Sequence, residues 1–217
     1  MPGELFLAFL NLCGFFVLLF IAEILHDKFH VHVEHSRKFL HVAGGLYALL
    51  TPLWIHSLWI LITLTLIALF TLWYTKRKGL LKSLHGVSRQ SFGSVLFLIP
   101  ISFCYLYSLY TGKPIYFYLP ILLMIISDTL AFYAGRKFNW LRYKTGRMHK
   151  TVGGSIAFFG SAFLISWFML GANRQILLLS VGIAMVTTLI EARSQGGWDN
   201  LFVPLSAVLC IWLWGIL

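Results

Sequence analysis

Long apolar runs alternate with short polar segments along the whole chain. A helix needs roughly 20 mostly apolar residues to cross the hydrocarbon core of a bilayer. By that criterion the sequence predicts eight spans, at about 5–25, 39–55, 57–75, 92–110, 115–134, 152–170, 175–191 and 200–217. The connections are too short for a second folded domain. We therefore expect a single integral membrane domain over residues 1–217, built as an all-α bundle of transmembrane helices.

The cations are distributed unequally over the connections between these spans. The odd-numbered connections are the polar loops at 26–38, 76–91, 135–151 and 192–199. They and their edges hold 15 of the 17 Lys and Arg residues, and the even-numbered connections hold only Lys113 and Arg174. Because Lys and Arg concentrate in cytoplasmic loops, this bias predicts that both termini lie on the non-cytoplasmic side. Most of the polar chemistry would then face the cytoplasm.

The composition excludes an ordinary soluble domain, since 59% of the residues are hydrophobic and only 11% are charged. A formal net charge of +10 would suggest nucleic acid in a soluble chain. In a membrane protein, cations instead set the orientation in the bilayer or contact anionic lipid and nucleotide phosphate. We therefore expect no nucleic-acid partner. The chain is compact and shows no targeting extension, which favours a bacterial inner membrane.

Asp128 is a carboxylate inside the apolar run "MIISDTLAFYAG". An ionisable side chain at the centre of a membrane helix costs about 2.5–3.5 kcal/mol or more, which makes it a functional candidate. The residue lies roughly 10 Å from the cytoplasmic end of its span at 1.5 Å per residue. A hydrogen bond between helices, or a buried pair with an arginine, is the structural alternative.

A basic segment, "GRKFNWLRYKTGRMHKTVGGS", follows from Gly135 to Ser155. Lys150 and Thr151 precede Gly153 and Gly154, where a new apolar helix begins. Backbone N–H groups at a helix N-terminus beside a lysine can hold a phosphate. The segment is not a Walker A loop, because no glycine directly precedes the lysine. Topology and lipid contact explain many of the cations but not the paired glycines.

A third polar element, "EARSQGGWDNLFVP", connects the last two spans. It puts Glu191 at the end of the seventh span and Asp199 and Asn200 at the start of the eighth. Carboxylate and amide oxygens suit Mg²⁺, which neutralises nucleotide phosphates. We therefore predict a metal site formed by Asp128, Glu191 and Asp199. Asp199 could equally serve as a helix N-cap, and the two roles are compatible.

Further candidates lie in the N-terminal half. Arg37 and His41 occur in "HSRKFLHVAGG", and Arg89 occurs in "SRQSFGS". They could contact phosphate, and the histidine could act as a general base. The alternative is that these residues have no catalytic role. The arginines would then only extend their charged ends to the membrane interface, and the histidine would only be solvated. Four histidines within residues 26–35 also permit a metal site, although their spacing is not distinctive.

Taken together, the motifs resemble the dolichol kinase, phytol kinase and CTP-dependent diacylglycerol kinase group of membrane enzymes. The resemblance runs from about Arg37 to Pro204 through "RKFLH", "RQSFG", "SDTLAFYAGRKF", "HKTVGGSIAFF" and "EARSQGGWDNLFVP". It implies that the region from the aspartate to the KT-GS segment binds the nucleotide. It also implies CTP as the usual phosphoryl donor and a requirement for Mg²⁺.

Carried over position by position, the resemblance implies a set of site residues. The nucleotide site would consist of Asp128, Gly135, Lys150, Thr151, Gly154 and Ser155, with Glu191, Asp199 and Asn200 nearby. Many members of the group read K-S/T-x-E-G-S, whereas this chain has Gly153 where the glutamate would stand. That less acidic form is closer to phytol or farnesol kinases than to dolichol kinase.

We therefore expect a CTP-dependent or other NTP-dependent kinase that phosphorylates a membrane-embedded isoprenoid alcohol, such as phytol, farnesol, geranylgeraniol or a polyprenol. The expected catalytic residues are Asp128, Lys150, His41, Arg89 and Arg37. The expected partners are the prenyl alcohol, the nucleotide and membrane lipids. A cytidylyltransferase similar to CDP-diacylglycerol synthase is one alternative, because that family shares the Asp…Gly…Lys-Thr…Gly pattern. A small ion-coupled transporter is another.

Overall fold

The computed structural model describes residues 2–86, 92–146 and 148–216, and most of these residues are helical. The helices are α1 (Pro2–Asp27), α2 (Val33–Leu49), α3 (Leu58–Arg77), α4 (Lys82–His85), α5 (Gly93–Thr111), α6 (Ile115–Leu122), α7 (Asp128–Lys137), α8 (Val152–Leu170), α9 (Arg174–Arg193) and α10 (Asp199–Ile216). The strands are β1 (Arg142–Thr145) and β2 (Met148–Thr151). The prediction of an all-α architecture is confirmed, with one small hairpin added.

The chain forms two compact units, Met1–Ser102 and Phe103–Leu217. In the first unit, α1 packs against α2 and α4. In the second unit, α8 packs against α7 and α9, while α10 packs against α9 and α6. Every residue of the predicted metal site and of the predicted nucleotide site belongs to the second unit.

Six helices in the described part of the chain are long and apolar enough to cross a membrane. They are Gly3–Asp27, Leu58–Arg77, Gly93–Thr111, Ile115–Lys137, Val152–Leu170 and Arg174–Arg193. A shorter apolar helix covers Asp199–Gly215. Helices occur at all eight predicted spans, and the chain is an integral membrane protein. The orientation of its termini stays a prediction.

The second predicted span, 39–55, differs most from the structure. Helix α2 begins at Val33, inside the predicted loop, and ends at Leu49. Its polar first turns are helical because helix formation does not require apolar residues, and the His32 side chain accepts the Glu34 N–H at 3.3 Å. A 3₁₀ turn at Thr51–Leu53 follows, with Pro52 in its first positions, where the missing N–H is tolerated.

The predicted loop 135–151 contains regular structure. Helix α7 extends to Lys137, and an antiparallel hairpin follows in which Arg142 pairs with Thr151. Gly146, with φ +52°, lies at the turn, where a left-handed backbone favours glycine. The hairpin and the first turns of α8 carry most of the predicted nucleotide-binding residues.

The span that carries Asp128 is not a uniform α-helix. Between α6 and α7 the chain forms a π-helical turn, Leu123–Ser127, and Asp128 follows it directly. Pro120 lies inside α6, where it removes one backbone hydrogen bond. Single π-turns inside α-helices occur often at functional sites.

Candidate functional site

Three carboxylates from three helices of the second unit lie together. Asp128 begins α7, Glu191 lies near the end of α9, and Asp199 begins α10. One oxygen from each side chain lies within 4.8 Å of the others. Glu191 is buried, and the two aspartates are half-buried. The four histidines within residues 26–35 form no comparable group in the described ranges.

Lys150 on β2 forms an ion pair with the most buried of these carboxylates. Its Nζ lies 2.6 Å from Glu191 Oε1 and also donates to the Glu191 backbone carbonyl. The two side chains are only 13% and 9% exposed. Because a buried charge without a partner is costly, the ammonium group stabilises a site that otherwise concentrates negative charge.

The inner face of the hairpin holds Lys150 in this position. Side chains alternate between the two faces of a strand, so Tyr143 and Thr145 point to the same side as Lys150. Thr145 Oγ1 donates to the Ala192 carbonyl at 2.9 Å, and the Tyr143 hydroxyl lies 2.7 Å from Ser155 Oγ. These contacts fix the hairpin against the end of α9 and the first turn of α8.

Asp199 also stabilises the start of its own helix. Its Oδ1 accepts the backbone N–H of Asn200 at 3.1 Å. The first N–H groups of a helix have no partner within the helix, and a carboxylate there interacts favourably with the helix dipole. A role for Asp199 at the start of α10 is therefore observed, through a bond to the next residue rather than the N2 or N3 contact typical of an N-cap.

The glycines of the predicted nucleotide site allow α7 and α8 to approach closely. A Cβ on Gly154 would lie 2.9 Å from the Ala131 carbonyl oxygen, and one on Gly135 would lie 2.8 Å from Thr151 Oγ1. A Cβ on Gly153 would lie 2.7 Å from a backbone carbonyl that follows α7. Larger residues would force the two helices apart.

Thr151 is the N-cap of α8, and its Oγ1 accepts the Gly154 N–H at 3.1 Å. One of the N–H groups expected to hold phosphate is thus bound within the chain. Packing and capping are the roles that the geometry gives these residues. A role in nucleotide binding for Gly135, Thr151, Gly153, Gly154, Ser155 and Asn200 stays a prediction.

The N-terminal candidates belong to the first unit. Arg37 and His41 lie on α2, and the His41 ring lies 4.9 Å from the Phe97 ring, measured between centroids. Arg89 lies outside the described residues. The catalytic roles of all three stay predictions.

Tyr143 and Thr145, on the inner face of the hairpin, are not among the predicted site residues. Their alternation with Arg142 and Lys144 has the period of two that marks a strand, but four residues within a run of cations are too few for it to stand out. Gln195 was missed too. Its side chain fills the space that a Cβ on Gly146 would occupy, and no sequence pattern indicates this contact.

Comparisons with known proteins give one curated relative. No family model matches the chain, and no solved structure matches it. The chain is similar to a phytol kinase of Synechocystis sp. (strain ATCC 27184 / PCC 6803 / Kazusa), with 27% identity over 197 residues. The match covers 88% of this chain and 84% of that protein. This relative confirms the predicted resemblance to the phytol and polyprenol kinase-like family, and with it supports the prediction of a lipid kinase.

Proposed function

We propose that the chain is a membrane-embedded kinase that transfers the γ-phosphoryl group of CTP, or of another nucleoside triphosphate, to an isoprenoid alcohol. Phytol, farnesol, geranylgeraniol and longer polyprenols are the acceptor class. One observation carries the proposal: Asp128, Glu191 and Asp199 converge beside Lys150 in a membrane protein similar to a phytol kinase.

The three carboxylates fit a hard divalent cation. Mg²⁺ prefers oxygen ligands and is often held by one or two carboxylates together with substrate phosphates. The oxygens of Asp128, Glu191 and Asp199 are close enough for two or three of them to share one ion. When bound, Mg²⁺ would neutralise charge on the triphosphate. We assign these three residues to the metal.

In the proposed reaction, the alcohol oxygen forms a bond to the γ-phosphorus. The bond from that phosphorus to the β–γ bridging oxygen breaks, the nucleoside diphosphate leaves, and the alcohol proton passes to a base. Phosphoryl transfer depends mainly on positioning and charge neutralisation. Lys150 would contact a phosphate oxygen, and the segment 151–155 would contribute backbone N–H groups. From the sequence alone, Arg37, His41 and Arg89 stay candidates for phosphate contact or for accepting the proton.

The position of Asp128 within its span suits an acceptor that stays in the bilayer. Helix α7 has 10 residues from Asp128 to Lys137, which corresponds to about 14 Å at 1.5 Å per residue. The carboxylate therefore lies inside the span, yet near one end. The charge bias supports a site that faces the cytoplasm, and we propose the bacterial inner membrane as its location.

A transfer assay tests the proposal. The purified chain in detergent receives γ-labelled CTP or ATP together with each of phytol, farnesol, geranylgeraniol, a long polyprenol and diacylglycerol. We expect labelled prenyl phosphate and release of the nucleoside diphosphate. Release of pyrophosphate instead would identify a cytidylyltransferase, and absence of labelled lipid with every alcohol would contradict the proposal.

Nucleotide binding can be tested separately by thermal unfolding. We expect CTP with Mg²⁺ to raise the midpoint temperature of unfolding of the wild type but not that of Asp128→Asn. The matched control is Asp27→Asn, which changes an exposed aspartate at the end of α1. A chain that nucleotide does not stabilise, but that loses ion flux in proteoliposomes on Asp128→Asn, would be a transporter.

A further inference from the structure

An exposed surface of mixed basic and apolar character covers the outer side of the hairpin and the segment before it. We name it the basic hairpin surface. It comprises Lys137, Phe138, Trp140, Leu141, Arg142 and Lys144, all of them exposed. Phe138, Trp140 and Leu141 are 50%, 49% and 67% exposed. Three exposed apolar side chains beside three cations, outside the spans, indicate an interaction surface for a partner that accepts both apolar groups and cations.

The surface is distinct from the acidic cluster. Along β1, Arg142 and Lys144 are exposed and alternate with Tyr143 and Thr145, which are half-buried and bound to α8 and α9. The cation that serves the cluster, Lys150, lies on the inner face. The outer cations therefore point away from the site at which a nucleotide would bind.

The cations of this surface have no carboxylate close to them along the chain. The chain has no acidic residue between Asp128 and Glu191. Arg142 donates from Nε to the neutral side-chain oxygen of Asn139 at 2.7 Å, and the Lys137 ammonium lies 5.6 Å from the Phe138 ring centroid. These contacts orient the cations without neutralising them.

Chain connectivity keeps the surface close to the bilayer. One span ends at Lys137 and the next begins at Val152, so only 14 residues separate them. Strands of four residues reach about 13 Å at 3.3 Å per residue. Tryptophan is enriched at the membrane interface, and Lys and Arg beside a span are attracted to anionic lipid.

We propose that the basic hairpin surface binds the anionic headgroups of the leaflet next to it, with Trp140 inserted at the interface. Two observations favour lipid headgroups as the partner. Their negative charge complements the exposed cations, and the short connections to both spans keep the surface beside the bilayer. The bound leaflet would hold the hairpin from outside while its inner face holds Lys150. The proposal does not depend on the proposed kinase activity and stands or falls without it.

Tryptophan quenching by brominated lipid tests the proposal on the full chain in nanodiscs. The mole fraction of brominated phosphatidylglycerol is increased in unbrominated phosphatidylcholine, and the difference between wild type and Trp140→Phe isolates the signal of that residue. We expect half-maximal quenching at a much lower mole fraction than with brominated phosphatidylcholine. Each cation near a membrane surface contributes about a fivefold change in affinity. The double substitution Arg142→Gln with Lys144→Gln should therefore raise the mole fraction of brominated phosphatidylglycerol at half-maximal quenching at least about fivefold.

The matched control is Lys113→Gln with Arg174→Gln, which changes net charge equally on two exposed cations of even-numbered connections. It should leave the Trp140 signal unchanged. Equal quenching by both brominated lipids, or an equal shift in the control, would overturn the proposal. So would loss of quenching on adding millimolar inorganic phosphate at constant ionic strength, since the surface would then bind free phosphate. All variants change exposed side chains, and unchanged thermal midpoints would confirm that they fold.

Discussion

Replacement of Lys150 by methionine should destabilise the protein strongly. The change keeps the length of the side chain and removes the charge that lies 2.6 Å from Glu191 Oε1. Three carboxylates whose oxygens lie within 4.8 Å would then lack that ammonium group. At an effective dielectric constant of 20, two unit charges 4.8 Å apart repel by about 3.5 kcal/mol. Removal of one partner from a buried ion pair costs about 3–5 kcal/mol by measurement in other proteins.

Thermal unfolding in detergent with a chelator measures this effect. For a chain of this size, about 3–5 kcal/mol corresponds to a midpoint lower by about 6–20 °C. Lys113→Met, which changes an exposed lysine, should stay within about 2 °C of wild type. Glu191→Gln added to Lys150→Met should recover at least about 2 kcal/mol, because it removes the charge left without its partner. Mg²⁺ should recover part of the loss as well.

Two results would refute this reasoning. One is a Lys150→Met midpoint within about 2 °C of wild type, which would mean that the pair contributes no more than an exposed one. The other is additivity of Lys150→Met and Glu191→Gln within about 0.5 kcal/mol, since independent sites add and coupled ones do not.

Three further outcomes follow from the structure. Asp128→Asn should reduce phosphoryl transfer at least about 100-fold, with Asp27→Asn unchanged, in the labelled transfer assay; a loss of transfer in both would contradict the assignment. Gly154→Ala should cost about 1–3 kcal/mol because its Cβ meets the backbone of α7, whereas Gly160→Ala on the same helix meets nothing within 4 Å and should be neutral in thermal unfolding. Burial and two neighbouring cations lower the pKa of His85 below its usual 6.5, so the folded state binds this proton less readily than the unfolded state. Stability should therefore fall as the pH drops below about 6.5, and His85→Gln should remove that part of the slope in a pH series of unfolding midpoints.

The membrane helices were predictable because a bilayer imposes a length and a composition on each span. Runs such as 152–170 coincide with α8, Val152–Leu170. Helix α2 was misjudged because its first turns are charged, and a hydropathy window detects burial in lipid rather than helix formation. The hairpin was missed because its strands have only four residues each and lie in a run of cations that hides their alternation.

The candidate site was predictable in its members but not in its contacts. The chain has only seven acidic residues, so each could be considered singly. Asp128 could be selected by its cost in a membrane, and Glu191 and Asp199 as oxygen ligands where the last two spans meet. Their mutual approach depends on how three helices pack. The pairing of Lys150 with Glu191 joins residues 41 apart and depends on a hairpin that the sequence did not reveal. Lys150 lies on a carboxylate in the structure, and its contact with phosphate stays a prediction.

The π-helical turn at Leu123–Ser127 makes the direction of the Asp128 side chain depend on how the backbone winds before it. Each residue of an α-helix advances the chain by about 100° around the axis, and a π-turn absorbs one residue more than the regular ladder holds. If the same residues formed a regular α-helix, Asp128 would be rotated by about 100°, away from Glu191 and Asp199. The span would still be apolar and long enough to cross the bilayer. Only the direction of the carboxylate would change.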